Sequence, residues 1–452
     1  MAKQKSYDML NGSLIDKIVL FALPLAISSI LQQLFNAADL AVVGRFASPE
    51  AMAAVGSNSS VINLIISFFI GLSVGANAVI AMEIGAGRRD QISDTVHTVI
   101  AISLISGFSL IAIGFYVSKP ILILMGAPSN VLDLAIVYLR IYFFAMPAIM
   151  IYNYGSAILR SKGDSKRPLY AMILSGVINI ILNLIFVIVF HLHVIGVALA
   201  TVLSNIFGAG LVLLFLIREE EPFKLDFRKL AIKKRYLLRM LQIGLPAGLQ
   251  GAVFSLSNVV IQSAVNSFGS DAIAGATAAA NFDFVSYCAM NAFSQSAVTF
   301  TSQNYGAHKF ERCKKVFRIC MGCGVGASAI VVLLLVTFRY QAISLFTTDS
   351  EVIRFAMIRI MNSFVFHYLI GTYEISGGCL RGMNFSLFPA LISVFGTCVL
   401  RLLYIFTYLP AHHDFATLFR VYPISWLFTG AVTILVYFIV RNRTFKKREE
   451  MT

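Results

Sequence analysis

Charge is scarce in this sequence. Asp, Glu, Lys and Arg make up 13% of its 452 residues, where a soluble chain carries about 25%. Apolar residues make up 58%, and mean hydropathy is +0.80. This balance excludes an ordinary soluble domain and implies a chain that crosses a membrane several times. Alternation of apolar and polar residues is also lacking. A spanning backbone must satisfy its own hydrogen bonds, as helices or as a closed barrel. Long apolar runs without alternation exclude the barrel. Cysteine is sparse, with six residues. Cys320 and Cys323 have a CxxC spacing, but there is no second pair and no nearby His. A buried structural role is therefore expected, and no disulfide framework is implied. Missing too are a His-Glu-x-x-His pair, a nucleophile elbow and a P-loop lysine motif. No enzyme is expected, and no cofactor. The polar start MAKQKSYDMLNGSLIDK has no cleavage-site pattern, so the first apolar segment is read as a retained helix.

What is present is a series of twelve apolar segments: 17–43, 53–80, 94–117, 133–156, 169–190, 196–217, 237–264, 273–300, 316–338, 351–378, 389–409 and 418–440. Each is near the length of about 20 residues that spans a bilayer core. The net charge of +14 is distributed as a membrane protein distributes it. With both termini inside, cytoplasmic stretches hold about 28 of the 36 Lys and Arg. The opposite loops hold only Arg45, Lys119 and Arg339. This is the positive-inside bias. It places the chain in the inner membrane as a multi-pass protein with cytoplasmic termini, and it argues against nucleic acid as a partner.

The second half repeats the first. Leu23-Pro24 matches Leu245-Pro246, Asn36 matches Asn258, and Phe46 matches Phe268. Gly85-Ala86 with Arg88 matches Gly306-Ala307 with Lys309. Leu159-Arg160 with Pro168 matches Leu380-Arg381 with Pro389. Six helices per half is an even number, so the repeats are parallel. The expected fold is all-α: two parallel six-helix lobes around a central cavity. The expected boundaries are 1–218, a hinge-like linker at 219–236, and 237–452. Gly71, Gly75, Gly85 and Gly87 are read as points of close helix approach.

The polar residues inside the apolar runs point to chemistry. Ser29, Gln32, Asn36 and Asp39 share one face of the first helix. Ser255, Asn258, Gln262 and Asn266 repeat that stripe in the seventh. Such stripes face protein or water, not lipid. The acids do not repeat: Asp39 corresponds to Val260 or Ile261, Asp283 to Ile62, and Glu374 to Asn153. An ionisable residue at membrane depth is a functional hypothesis by default. A desolvated carboxylate answers to a proton or a cation nearby. The three acids are therefore candidates for coupling H+ or Na+, and the alternative for each is a structural ion pair. Arg401, near mid-membrane, is the expected partner for such a pair. Arg140, Arg354 and Arg359 are expected to lie nearer the outer face and snorkel. His97 and His367 are candidate proton relays, though a lone His in a helix is more often a hydrogen-bonded core residue. His412-His413-Asp414 is read as an ordinary outer loop.

These features together resemble the multidrug and toxic compound extrusion (MATE) family of efflux transporters. The resemblance runs over nearly the whole chain. It is carried by LPLAISSILQQLFNAADLAVVGRF (23–46), EAMAAVGSNSS (50–60), EIGAGRRD (83–90), LRSKGDSKRP (159–168), SQNYGAHKFER (302–312) and LRGMNFSLFP (380–389). It implies an antiporter that exports organic cations by alternating access, driven by inward H+ or Na+. The family's helix-1 aspartate falls on Asp39, and its acidic position in helix 8 on Asp283. The helix-7 glutamate of some members is absent; its place is near Phe254. Asp39 is thus the expected ion site, with a possible Na+ there and Gln32, Asn36, Asn179 and Asn183 nearby. Any second-half site rests on Asp283 or Glu374, with Asn258, Gln262 and Arg401 as further candidates. The alternative is a flippase for lipid-linked precursors from the wider superfamily. A monomer in the bilayer is expected, with small organic cations as substrates.

Overall fold

The computed structural model describes residues 8–46, 49–124 and 129–449. Among them there is no strand, and the twelve expected spans are all present as helices. Helix 1 is Ile15–Phe46, helix 2 Pro49–Gly85 and helix 3 Arg89–Leu124. Helix 4 is Ser129–Phe143 with Met146–Ser161, and helix 5 is Lys166–Leu184 with a π turn at Ile185–Val189. Helix 6 is His193–Ile217, helix 7 Lys234–Asn266, helix 8 Ser270–Gly306 and helix 9 Phe310–Thr337. Helix 10 runs over Ser350–Gly382, helix 11 over Leu387–Ala411 and helix 12 over Phe415–Glu449. Ten of the helices are long and apolar enough to cross a membrane, and the bent helix 4 adds an eleventh. Helix 8 is long enough, at 37 residues, but is diluted by Ala, Ser and Asn. The chain is a multi-pass membrane protein.

Two spans expected to be continuous are interrupted, at the same place in the repeat. Helix 4 bends by 46° between Phe143 and Met146. Pro147 opens its second piece; a proline lacks the N–H that would continue the ladder, so it suits a first turn. The counterpart in helix 10 is a 3-10 turn over Phe364–Leu369. The repeat also shows in backbone shape. Gly87 and His308, 221 residues apart, both take a left-handed φ, of 70° and 57°.

The chain forms two compact units. One holds Ile27–Leu241; the other holds Met9–Ala26 and the chain from Gln242 onward. These boundaries differ from a division at 218 and 237. The root of helix 1 counts with the second unit, and the linker counts with the first. The linker is docked, not a free hinge. His97 Nε2 accepts from the Asp226 N–H at 3.1 Å, while its Nδ1 lies 2.7 Å from the Ser93 carbonyl. Thr98 donates to the Ala231 carbonyl and accepts from the Lys233 N–H. His97 is therefore a fastener for the linker. Glu83 of EIGAGRRD, 2% exposed, takes Arg239 from the root of helix 7 at 2.6 Å and Arg88 at 3.3 Å. The matching motif in the second unit does the same for the chain start. Asn304 donates to the Met9 carbonyl at 3.2 Å, and Lys309 and Arg312 donate to Leu10 and Gly12.

Glu219 completes the linker's docking, accepting from Lys162 at 2.6 Å and from Arg167. Burial alone would raise its carboxyl, but the hydrogen bonds and charges of Lys162 and Arg167 outweigh this and hold it below its ordinary value. A depressed carboxyl adds stability above its unfolded value, and that stability is lost as pH falls through the folded value. Glu219→Gln is expected to lower Tm by about 2 °C at pH 7, with the difference from wild type shrinking as the pH is lowered through the folded value. Thermal unfolding of both proteins over a series of pH values checks this.

Of the glycines expected at points of close helix approach, Gly87 has open space around it and serves its φ. A close contact does occur at Gly107. A Cβ on Gly107 would sit 2.4 Å from the Cα of Pro147, and backbone cannot rotate away. Gly107→Ala is expected to destabilise by about 1–3 kcal/mol, since overpacking outweighs the gain in helix propensity of about 1 kcal/mol. A lowered midpoint of thermal unfolding is the measurement.

Candidate functional site

Asp39 lies on helix 1 where a packed face meets an exposed one. At about 100° per residue, Phe35 and Asn36 point apart, and Asp39 falls between them. Phe35 packs on helix 5: a Cβ on Gly176 would lie 2.0 Å from its ring. Asn36 and Gln32 are exposed. The Asp39 carboxylate is accordingly half-buried, and it meets helix 5 one step further along. Asn183 Nδ2 donates to Asp39 Oδ1 at 2.5 Å and stands 3.3 Å from Asn179 Oδ1. Both amides are buried, Asn183 completely. Tyr138 and Tyr142, stacked on helix 4 at 6.1 Å, lie within electrostatic reach of the carboxylate.

Two features mark this carboxylate. Among the described residues no Lys, Arg or His lies within ion-pair distance of it, and its one hydrogen-bond donor is neutral. Beside it, Asn183 Oδ1 is buried without a hydrogen-bond partner. A buried carbonyl oxygen left unpaired is costly, and next to a carboxylate it suits a cation. Asp39, Asn183 and Asn179 come together as expected from the sequence. Gln32 and Asn36 do not join them by any hydrogen bond among the described residues.

The second unit is arranged differently. Asp283 Oδ2 is held by Arg359 Nη2 at 2.5 Å, and its Oδ1 is 3.9 Å from His367 Nε2. Arg359 therefore does not snorkel; it is a largely buried partner and also donates to the Ala276 carbonyl at 2.6 Å. Arg401 does not pair with an acid, contrary to expectation. It is 1% exposed and donates through Nε to Ser425 at 2.8 Å. Its guanidinium lies over the rings of Tyr422 (4.4 Å) and Trp426 (5.7 Å), where a desolvated cation is stabilised by about 2 kcal/mol. Glu374 stands apart, half-buried, with no hydrogen bond or ion pair to its carboxylate among the described residues. Arg381 and Tyr287 are in electrostatic reach of it, and Arg381 is tied to Gln250 at 2.8 Å. On helix 7, Asn258 and Gln262 are exposed, and Gln262 donates to Asn266 at 3.0 Å. In the loop before helix 12, His413 stacks on Phe268 and Asp414 accepts from the Thr417 N–H.

Sequence reasoning passed over Glu83, Tyr138, Tyr142 and the Arg359 pairing. The signal for Tyr138 and Tyr142 was their i, i+4 spacing in a span that also carries Pro147.

Comparison with known proteins agrees with this layout. The MatE family model matches the chain twice, over residues 24–185 and 246–407. A Bacillus subtilis relative described as "Probable multidrug resistance protein YoeA" is 33% identical over 385 residues, covering 83% of each chain. A second from the same organism, "Probable multidrug resistance protein YpnP", is 27% identical over 401 residues, covering 88% of this chain and 89% of its own. A solved structure described as the outward-facing conformation of a multidrug resistance MATE family transporter superposes with a TM-score of 0.90 at 24% identity. It covers 98% of this chain and 100% of its own, a likeness of fold. With both halves matched by one family model, and the fold and the repeat in accord, the chain belongs to the MATE family, whose members are transporters and not enzymes.

Proposed function

We propose that this protein is a secondary antiporter that exports organic cations from the cell, driven by inward H+ or Na+ bound at Asp39. It sits in the inner membrane with both termini in the cytoplasm, as the basic loops direct. The observation that carries the reading is the Asp39 carboxylate. It is half-buried in a spanning helix, bound by one neutral amide, and has no ion pair among the described residues. An uncompensated carboxylate at that depth is costly unless it takes up a cation.

The coupling follows from the same contact. With the carboxylate ionised, it holds Asn183 and the Phe35 ring rests on Gly176. A proton or Na+ on Asp39 competes for the oxygen that Asn183 now holds, and helix 1 repacks on helix 5. Neutralising the carboxylate also weakens attraction for a cationic substrate, so ion entry and substrate release are linked. Gln32 and Asn36, exposed on the same helix, supply adaptable polar contacts for substrate. In the second unit Glu374 is the acid left open.

The test is efflux of ethidium from vesicles, with a pH gradient and a Na+ gradient imposed separately. One gradient is expected to drive efflux and thereby to name the ion. Absence of efflux under both, with folded protein in the vesicles, overturns the proposal in favour of lipid-linked precursors as substrate.

A further inference from the structure

Asp283 looks like a second ion site in the sequence, yet its surroundings are built for the opposite purpose. Arg359 meets its carboxylate at 2.5 Å and is itself fixed by the Ala276 carbonyl and by the face of Phe419 at 5.1 Å. Arg401 is in electrostatic reach of the same carboxylate and has no carboxylate within ion-pair distance among the described residues. One carboxylate and two guanidiniums give this cluster a net charge of at least +1. Such a cluster repels a further cation, and burial strengthens the repulsion because the effective dielectric is low.

The repeat makes the contrast specific. The offset that aligns Leu159-Arg160 with Leu380-Arg381 also aligns Tyr138 with Arg359, just ahead of the break in helix 4 and in helix 10. In the first unit that position presents a phenol within electrostatic reach of Asp39, and the acid has no cationic partner among the described residues. In the second unit the same position presents a guanidinium, and the acid is neutralised. An arginine cannot lose its proton in a protein, so this neutralisation does not cycle.

We infer that Arg359 is a tethered cation, filling at Asp283 the place that a coupling ion takes at Asp39, so that Asp283 contributes no ion to the transport cycle. The inference rests on the reading of Asp39 as the coupling site. Arg359 is on this view a specificity-determining residue: it silences one of the intramembrane acids.

The experiment starts from Asp39→Asn protein, purified in detergent. Its thermal unfolding is followed in NaCl against choline chloride at equal ionic strength, and at pH 6 against pH 8. Adding Arg359→Gln is expected to open Asp283 to the ion and to create an ion-dependent Tm shift of about 3 °C. Adding Asp283→Asn as a third change is expected to remove that shift. Equal responses from the double and triple variants overturn the inference. Should the Arg359→Gln proteins fail to fold, the neutral pair Asp283→Asn/Arg359→Gln is made with Asp39 intact. Efflux driven by the ion gradient is then expected within about twofold of wild type, and loss of that drive in folded protein overturns the inference. If wild type and Asp39→Asn respond alike to Na+ and to pH, it is the reading of Asp39 that fails; the double-against-triple comparison still decides Arg359.

Discussion

Asp39→Asn protein is expected to fold, to reach the membrane and to lose ion-driven export. The amide has the shape of the carboxylate, so the contact with Asn183 survives and the Phe35–Gly176 packing is undisturbed. Removing a partly buried charge that lacks an ion pair costs no stability on electrostatic grounds. What disappears is the change of state. A neutral, uncharged amide cannot bind a proton or alternate between charged and neutral forms, so helix 1 no longer senses the gradient. Coupling free energies between two ligands are typically about 1–3 kcal/mol, and efflux under the driving gradient should fall by about 10- to 100-fold. Ethidium efflux from vesicles carrying equal amounts of folded protein measures this. Full wild-type rates in the variant would remove Asp39 from the mechanism. A uniform slowing with the ion dependence intact would leave it only a packing role.

Much of this site is legible in the sequence because it obeys local rules. The spacing of Gln32, Asn36 and Asp39 follows from helix geometry alone, and Asn179 and Asn183 are one turn apart on helix 5. The repeat is legible because single residues such as Pro24 and Pro246, or Arg160 and Arg381, recur at one offset. Depth in a span, however, does not tell which way a side chain points. Arg401 is at the right depth to pair with an acid but turns to Ser425, Tyr422 and Trp426. Arg359, two helices on and 76 residues from Asp283, takes the pair instead. Its role depends on how helix 10 packs against helix 8, and no local pattern records that. The linker shows the same limit. Its charge marks it as an interfacial loop, but its anchorage depends on side chains distant in sequence, His97 and Thr98 of helix 3 together with Lys162 and Arg167. The stripe on helix 1 is divided for a similar reason. Gly176 admits the Phe35 ring, and this draws the Asp39 side of the helix inward while Asn36 stays exposed.

The role of Gly176 and helix 5 leads to the second large effect. Asn183→Leu is expected to impair export nearly as much as the loss of the carboxylate. Asn183 supplies the one hydrogen bond that the ion-free carboxylate receives from the described residues, and hydrogen bonds to charged groups contribute about 1.5–3 kcal/mol. Leucine fills a similar volume and donates nothing. The ion-free state then has a partly buried carboxylate with no donor, so the step that releases the ion stalls. Efflux should slow by at least about tenfold, the change that ~1.4 kcal/mol produces. Asn183→Gln keeps the amide on a longer arm and should recover part of the rate, which a purely structural role for Asn183 would not predict. Efflux rates for the two variants across a series of Na+ and pH gradients, with folding checked by thermal unfolding, decide the matter. An unaltered rate in folded Asn183→Leu protein would mean that Asp39 meets its ion without help from helix 5, and the repacking of helix 1 against that helix would not be the coupling step.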